Sequence, residues 1–227
     1  MLIEIKSWVN GAVLYTIEAD SIKLAVEALV RQGKSLNYAE LNDAELNYAE
    51  LNGAELNGAK LNGAELNYAK LNGAKLNYAK LNGAKLNDAK LNYAELNGAK
   101  LNYAKLNYAK LNGAELNYAE LNYAELNYAE LNYAELNDAE LNYAELNGAK
   151  LNYAELNYAE LDFSSWPLHC GSFNAKADDR LVAQLMCHLT RLDVSGCSGG
   201  VREAMDHLRK MALADLFCEY LDDVKPL

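Results

Sequence analysis

An all-β solenoid is the fold this sequence predicts, and three observations carry the prediction. One five-residue phrase, Ala-Glu/Lys-Leu-Asn-Tyr/Gly/Asp, runs 24 times in succession from Ala39 to Tyr158 and starts a twenty-fifth time before Asp162 breaks it, and only two of its positions vary. A helix cannot use that period: each step of five residues rotates by about 500°, roughly 140° past a full turn, so leucine would spiral around every side and leave no apolar stripe. A continuous strand cannot use it either, because Ala39 and Leu41 share a face while Ala44 would point the opposite way. A short extended Ala-x-Leu segment followed by a two-residue corner restores the parity. Asn, Gly and Asp suit such corners through positive φ or side-chain bonds to nearby backbone, whereas Tyr suits them less obviously.

The segment ahead of the array, residues 1–35, predicts an N-terminal cap. Leu2 to Trp8 and Ala12 to Ile17 alternate in polarity around Asn10-Gly11, a hairpin turn signal. Asp20 or Ser21 can then cap a helix carrying Ile22, Leu24, Ala25, Leu29 and Val30, which Gly33 ends. A solenoid needs such a cover, since an open terminal coil presents unpaired backbone groups that invite other chains.

Residues 36–162 form the solenoid proper. Corners that all turn the same way wind every Ala and Leu inside, so Leu41, Ala44, Leu61, Ala64, Leu81, Leu101, Leu121 and Leu141 are predicted core, while Glu/Lys, Asn and Tyr/Gly/Asp face outward. The array from Leu36 to Leu161 resembles the pentapeptide-repeat family, whose loose pattern is Ala-(Asp/Asn)-Leu-x-x. This chain departs from that pattern by placing Glu or Lys after the inward alanine, as in Ala39-Glu40-Leu41 and Ala59-Lys60-Leu61. The resemblance implies a right-handed quadrilateral β-helix with four pentapeptides per coil. At 20 residues per coil the array would make about six coils and, with strands near 4.8 Å apart, a rod of about 30 Å.

Stacking residues 20 apart sorts the variable slots into columns. Tyr103, Tyr123 and Tyr143 form one aromatic run, and Tyr48 with Tyr68, Tyr108 with Tyr128, and Tyr133 with Tyr153 form others. Such ladders either armour the coil or serve as a recognition surface. The charges are banded: nine of the ten lysines in the Glu/Lys slot lie between Lys60 and Lys110, dividing two acidic zones. Lys100 falls over Glu120 and Lys105 over Glu125, but Lys80 over Lys100 and Glu120 over Glu140 set like charges in register. This pattern predicts either a solvated surface or side-by-side association in which one rod's lysine belt meets another's acidic end. Glu and Lys interconvert by one codon base, as do Asp with Gly or Tyr, which suggests either recent tandem duplication or a designed array.

Residues 163–227 predict a C-terminal two-helix segment. Leu181, Val182, Leu185, Met186, Leu189 and Leu192 recur at helical spacing, and beyond the connection from Ser195 to Gly200 so do Val201, Ala204, Leu208, Met211, Ala212, Leu216 and Phe217. The tail, particularly Phe163-Ser164-Ser165-Trp166-Pro167-Leu168 and Arg180 to Asp193, is similar to those of some phage and bacterial pentapeptide-repeat proteins. Two such apolar stripes must pack on each other, on the last coil or on another subunit, and a dimer through this tail or through stacked coil ends is the expectation, with Trp166, Leu185, Leu189, Leu208 and Phe217 as candidate interface residues. Cys170, Cys187, Cys197, Cys218, His169, His188 and His207 all lie here too, but their spacings match no zinc pattern, so neither metal nor cofactor is expected.

The uniform array offers no lone nucleophile and no mismatched carboxylate pair, so no enzyme is expected. A net charge of −11 disfavours nucleic acid as a partner. The start, Met1-Leu2-Ile3-Glu4-Ile5, has no basic region and no long apolar stretch, which together with reading the four cysteines as thiols predicts a cytoplasmic protein without membrane contact. The leading expectation is a structural or protein-interaction solenoid. The alternative, implied by the acidic family members that inhibit gyrase, is a DNA-mimicking topoisomerase inhibitor, although the lysine belt interrupts the negative track that mimicry requires.

Overall fold

The computed structural model describes residues 1–165 and 175–178, together with Gly199, Glu203 and Asp206. The chain divides into two compact units, Met1–Lys176 and Ala177–Leu227. In the second unit Gly199, Glu203 and Asp206 are helical and exposed. The candidate interface residues Trp166, Leu185, Leu189, Leu208 and Phe217, and every cysteine and histidine, lie outside the described residues.

The first unit opens with a hairpin of β1 (Leu2–Lys6) and β2 (Val13–Glu18), paired antiparallel from Leu2 opposite Glu18 to Ile5 opposite Tyr15, with a bulge between Ile5 and Lys6. Gly11 turns the chain at φ 72°. β1 is shorter than its polarity pattern suggests because Ser7 leaves the hairpin to bridge Ala39 of the first coil, while Glu40 donates its amide to the Lys6 carbonyl at 2.8 Å. α1 (Ile22–Arg31) begins at Ser21, whose hydroxyl accepts from the Leu24 amide at 3.2 Å, and ends at Gly33 with φ 66°. Its buried face of Ala25, Val26 and Leu29 turns toward the solenoid, where Val26 borders the leucine-lined interior. The buried carboxylate of Glu27 accepts the Glu50 amide at 3.0 Å, giving an edge donor of the first coil the partner that no preceding coil could supply.

From Leu36 the chain winds so that residues 20 apart pair in parallel, beginning with Glu40 and Lys60 and continuing to Glu140 and Glu160, which places four pentapeptides in each turn. Each Ala and Leu of the array points inward. Leu61, Ala64, Leu81, Leu101, Leu121 and Leu141 are at most 1 % exposed, while Leu41 and Ala44 near the first edge reach 3 % and 8 %.

One central phrase shows how the backbone is satisfied. Leu111 donates to the Glu130 carbonyl of the next coil at 2.7 Å, Gly113 to the Asn132 carbonyl at 2.9 Å, and Glu115 back to the Ala94 carbonyl at 2.9 Å. Ala114 closes the corner onto the Leu111 carbonyl at 3.1 Å. The remaining donor, the Asn112 amide, has no backbone acceptor and bonds to Asn92 Oδ1 at 3.2 Å. Asn112 Oδ1 in turn accepts the Asn132 amide at 3.2 Å. The same link recurs down all four corners, so asparagine is held constant by a backbone donor on the neighbouring coil.

The winding continues past Asp162, where the sequence phrase breaks. Phe163 takes the corner residue's positive φ of 58°, Ser165 takes the strand position and bridges Glu145, and Lys176 bridges Glu155. The slots are filled by chemistry that suits them even though the motif is gone: Asp162 keeps its amide on Asn142 Oδ1 at 2.9 Å.

Replacing Asn112 with alanine strands the Asn132 amide and removes the Asn112 Nδ2 bonds to Asn92 at 3.1 Å and Glu130 at 3.1 Å. Asn112→Ala is therefore expected to lower stability by about 1–3 kcal/mol in urea denaturation. Asn112→Asp keeps the acceptor, but its carboxylate stands beside Glu130. An unchanged midpoint for the alanine variant would contradict the role assigned to the side chain.

Candidate interaction surfaces

Because the interior is uniform, any recognition must arise at the corners and on the flat faces between them. The corner residue that follows each Asn is forced into left-handed backbone. All fourteen tyrosines of the array sit there at φ 58–62°, as do Asp43, Asp88 and Asp138 at 55–58°. That region disfavours side chains with a Cβ by roughly 1–2 kcal/mol per residue. The winding overrides it, because the corner amide must reach the Asn carbonyl of the next coil, as Tyr103 does to Asn122 at 3.0 Å.

Held in this way, the aromatic rings project outward and stack along the rod. Tyr103 stacks on Tyr123 at a centroid distance of 5.0 Å, Tyr123 on Tyr143 at 4.7 Å, and Tyr108 on Tyr128 at 5.1 Å. Tyr48 with Tyr68 and Tyr133 with Tyr153 stack at 4.9 Å. Phe163 extends the first ladder at 4.9 Å from Tyr143, a rung the sequence reading missed because it treated Phe163 as tail. Where glycine follows on the next coil the ring lies over it: a Cβ on Gly98 would stand 2.6 Å from the Tyr78 ring, and one on Gly113 would stand 2.7 Å from the Tyr93 ring.

The faces carry the charged slot. Lys100 pairs with Glu120 at 2.7 Å, Lys105 with Glu125 at 3.1 Å, and Lys85 with Glu65 at 2.7 Å. Lys80 instead stands over the Trp8 ring, 4.3 Å from its centroid, with Lys60 at 4.9 Å and the indole Nε1 donating to the Gly58 carbonyl at 2.7 Å. The N-terminal hairpin thus reaches onto one face. Sequence spacing gave no sign of this, because Trp8 and Lys80 are brought together only by the winding.

Asparagine also orders the carboxylates. Asn102 Nδ2 donates to Glu120 at 2.9 Å, and Asn122 Nδ2 to Glu140 at 2.8 Å. The ammonium of Lys100, seconded by Asn102, holds the Glu120 carboxyl below the usual range, and Lys85 with Asn47 does the same for Glu65. Asp88 and Tyr48 push the Tyr68 phenol up. Among the described residues, no group of three or more His, Cys, Asp or Glu could hold a metal ion, and no helix is long and apolar enough to cross a membrane. The interior seam between the leucines has an entirely apolar lining.

The family profile described as Pentapeptide repeats matches residues 39–77, 79–117, 94–127 and 129–162, in eight copies. Among solved structures the chain is similar to HetL, a pentapeptide repeat protein involved in heterocyst differentiation regulation from the cyanobacterium Nostoc sp. strain PCC 7120. Identity is 28 %, with 64 % of this chain and 82 % of that one covered, at a TM-score of 0.34. It is similar also to the pentapeptide repeat protein Rfr23 of the cyanobacterium Cyanothece 51142, at 29 % identity over 46 % of this chain and 64 % of that one, TM-score 0.34. A trypsin-treated variant of QnrB1, a plasmid-mediated fluoroquinolone resistance protein, shares 16 % identity over 69 % of this chain and 83 % of that one, TM-score 0.45. No curated protein matches the chain.

Glu65, Glu120 and Glu155 all titrate lower than free carboxyls, with Lys85, Lys100 and Lys176 as the leading causes. A carboxyl depressed in the folded state stabilises the fold above its unfolded pKa, and that contribution is lost as pH falls through the folded value. Thermal midpoints are expected to decline as pH drops below about 4.3, the ordinary glutamate value. A midpoint that holds or rises through that window would contradict the pairing.

Proposed function

Because this chain belongs to the pentapeptide-repeat family, we propose that it is a non-enzymatic, structural or protein-interaction solenoid that self-associates through its ends. In this reading about six right-handed coils stand between a hairpin-helix cap and a two-helix tail, and the protein works in the cytoplasm as a homodimer. The observation that carries the proposal is the recurrence of every outward slot. Asn recurs every 20 residues, each strand slot carries Glu or Lys, and each corner slot carries Tyr, Gly or Asp at the same positive φ, so no position of the array combines groups that catalysis needs in unequal environments.

The ends differ from the array. α1 and the hairpin occupy the N-terminal edge, with Glu27 and Lys6 meeting amides of the first coil. In this proposal Trp166, Leu185, Leu189, Leu208 and Phe217 of the tail meet a second copy. A DNA-mimicking inhibitor of a topoisomerase fits less well, since lysines stand in register midway along three of the four faces, Lys80 with Lys100, Lys85 with Lys105, and Lys70 with Lys90 and Lys110, and interrupt the negative charge there.

In the full-length protein, Leu185→Glu with Leu189→Glu is expected to convert a dimer to a monomer in sedimentation equilibrium at high salt, with an unchanged far-ultraviolet spectrum. A wild-type protein that is monomeric throughout, or a double variant as dimeric as wild type, would contradict the proposal.

A further inference from the structure

One of the four faces has a charge order that the others lack. Reading down it by bridged neighbours, the outward residues are Glu40, Lys60, Lys80, Lys100, Glu120, Glu140 and Glu160. From Lys60 to Glu160 this is three cations followed by three anions, antisymmetric about the midpoint between Lys100 and Glu120. The face is uneasy alone, since Lys80 sits between two lysines and Glu140 between two glutamates at the rung spacing. Adjacent rungs on one edge repeat at 4.7–5.0 Å, so the charged slots recur at an even spacing.

We infer that this face is a self-docking surface, on which a second copy of the chain lies antiparallel. A two-fold axis in the plane of contact, crossing the rod between Lys100 and Glu120, brings Lys60 opposite Glu160, Lys80 opposite Glu140 and Lys100 opposite Glu120 of the second copy. Each pair then occurs twice, as an isologous interface requires. The registers match because both partners share one repeat. Sequence order on the three remaining faces gives no such match: Glu45, Glu65, Lys85, Lys105, Glu125 and Glu145 would set lysine against lysine at the centre, Glu50, Lys70, Lys90, Lys110, Glu130 and Lys150 are mostly basic, and Glu55, Lys75, Glu95, Glu115, Glu135 and Glu155 are nearly all acidic.

At one end of the face the Trp8 ring of the hairpin lies against Lys60 and Lys80, at 4.9 and 4.3 Å, and Glu40 pairs with Lys60 at 3.3 Å, so the second copy docks over that ring. Asn122 and Asn142 hold Glu140 and Glu160 at 2.8 and 3.0 Å at the other end. Lys100 and Glu120, paired at 2.7 Å within the chain, become with their counterparts a four-charge cluster on the axis. Along the edge that carries the aromatic ladder, the same operation sets Tyr103 against Tyr123 and Gly83 against Tyr143. At Gly83 nothing lies within 4 Å of the side-chain position, leaving room for a ring.

This association goes beyond the end-to-end contact proposed above and is independent of it, because it is electrostatic and lateral. Sedimentation velocity of the full chain between about 0.02 M and about 0.5 M salt isolates it, since only the lateral contact is strongly screened over that range. Three variants complete the test, each checked for an unchanged far-ultraviolet spectrum. The first is Lys60→Glu, Lys80→Glu and Lys100→Glu; the second is Glu120→Lys, Glu140→Lys and Glu160→Lys; the third carries all six changes.

The expected result is a salt-sensitive association in the wild type that weakens at least ~tenfold in either triple variant. It returns when the two triples are mixed, and it is present in the six-fold variant, whose net charge and charge antisymmetry are those of the wild type. Absence of any salt-sensitive association in the wild type would overturn the inference. So would its persistence in the triples, or its failure to return in both the mixture and the six-fold variant. A tail-mediated dimer would survive all three variants and high salt, so the two contacts fail separately.

Discussion

The fold depends on one side-chain bond repeated along four corners: the oxygen of each asparagine accepting the backbone amide of the asparagine on the following coil. Four of the five amides in each phrase find backbone carbonyls, as Leu111, Gly113, Ala114 and Glu115 do. The fifth does not, and in the array only Asn92 Oδ1 meets the Asn112 amide. A part-buried donor left unpaired costs about 1–3 kcal/mol, so without this bond each coil would carry four such penalties. Leucine and alanine supply the driving force for winding, and asparagine makes the wound backbone satisfiable.

The same constraint sets the character of the surface. Once the amide of the corner residue is committed to the next coil, its backbone must take positive φ, whatever side chain it bears. Glycine and aspartate accept this readily, and tyrosine is made to. Stacks such as Tyr103, Tyr123 and Tyr143 return some of that strain, at about 0.5–1.5 kcal/mol for each well-placed pair. The ladders are thus first a consequence of winding, and any recognition role is built on top of it. The charged slots are freer, because the backbone pairing does not choose between Glu and Lys at a strand position, so the order of charges down a face is where distinct surfaces can arise.

The sequence made the interior legible, and with it the hairpin and helix ahead of the array. The clash of a five-residue period with both helical and strand parity is a local property, so the inward places of Leu61 or Ala64 could be read without coordinates. Columns 20 residues apart likewise anticipated the Tyr48–Tyr68 stack and the Lys100–Glu120 pair. What could not be read were contacts that single positions make across the winding. Trp8 reaching Lys80, Glu27 reaching the Glu50 amide, and Phe163 and Ser165 continuing the coil after the motif had dissolved are all of this kind. Asparagine was recognised as a corner former, but its bond to the next coil was missed, since an invariant residue in a perfect repeat gives no contrast from which to infer its partner.

The most direct test of the asparagine ladder is hydrogen exchange on protein labelled with nitrogen-15 in asparagine alone, compared with a sample labelled in leucine alone, which avoids resolving near-identical repeats. The ladder requires that most asparagine backbone amides exchange as slowly as the leucine amides, because both are locked to the neighbouring coil. Asparagine amides that exchange at the rate of exposed turns, beside protected leucines, would contradict it.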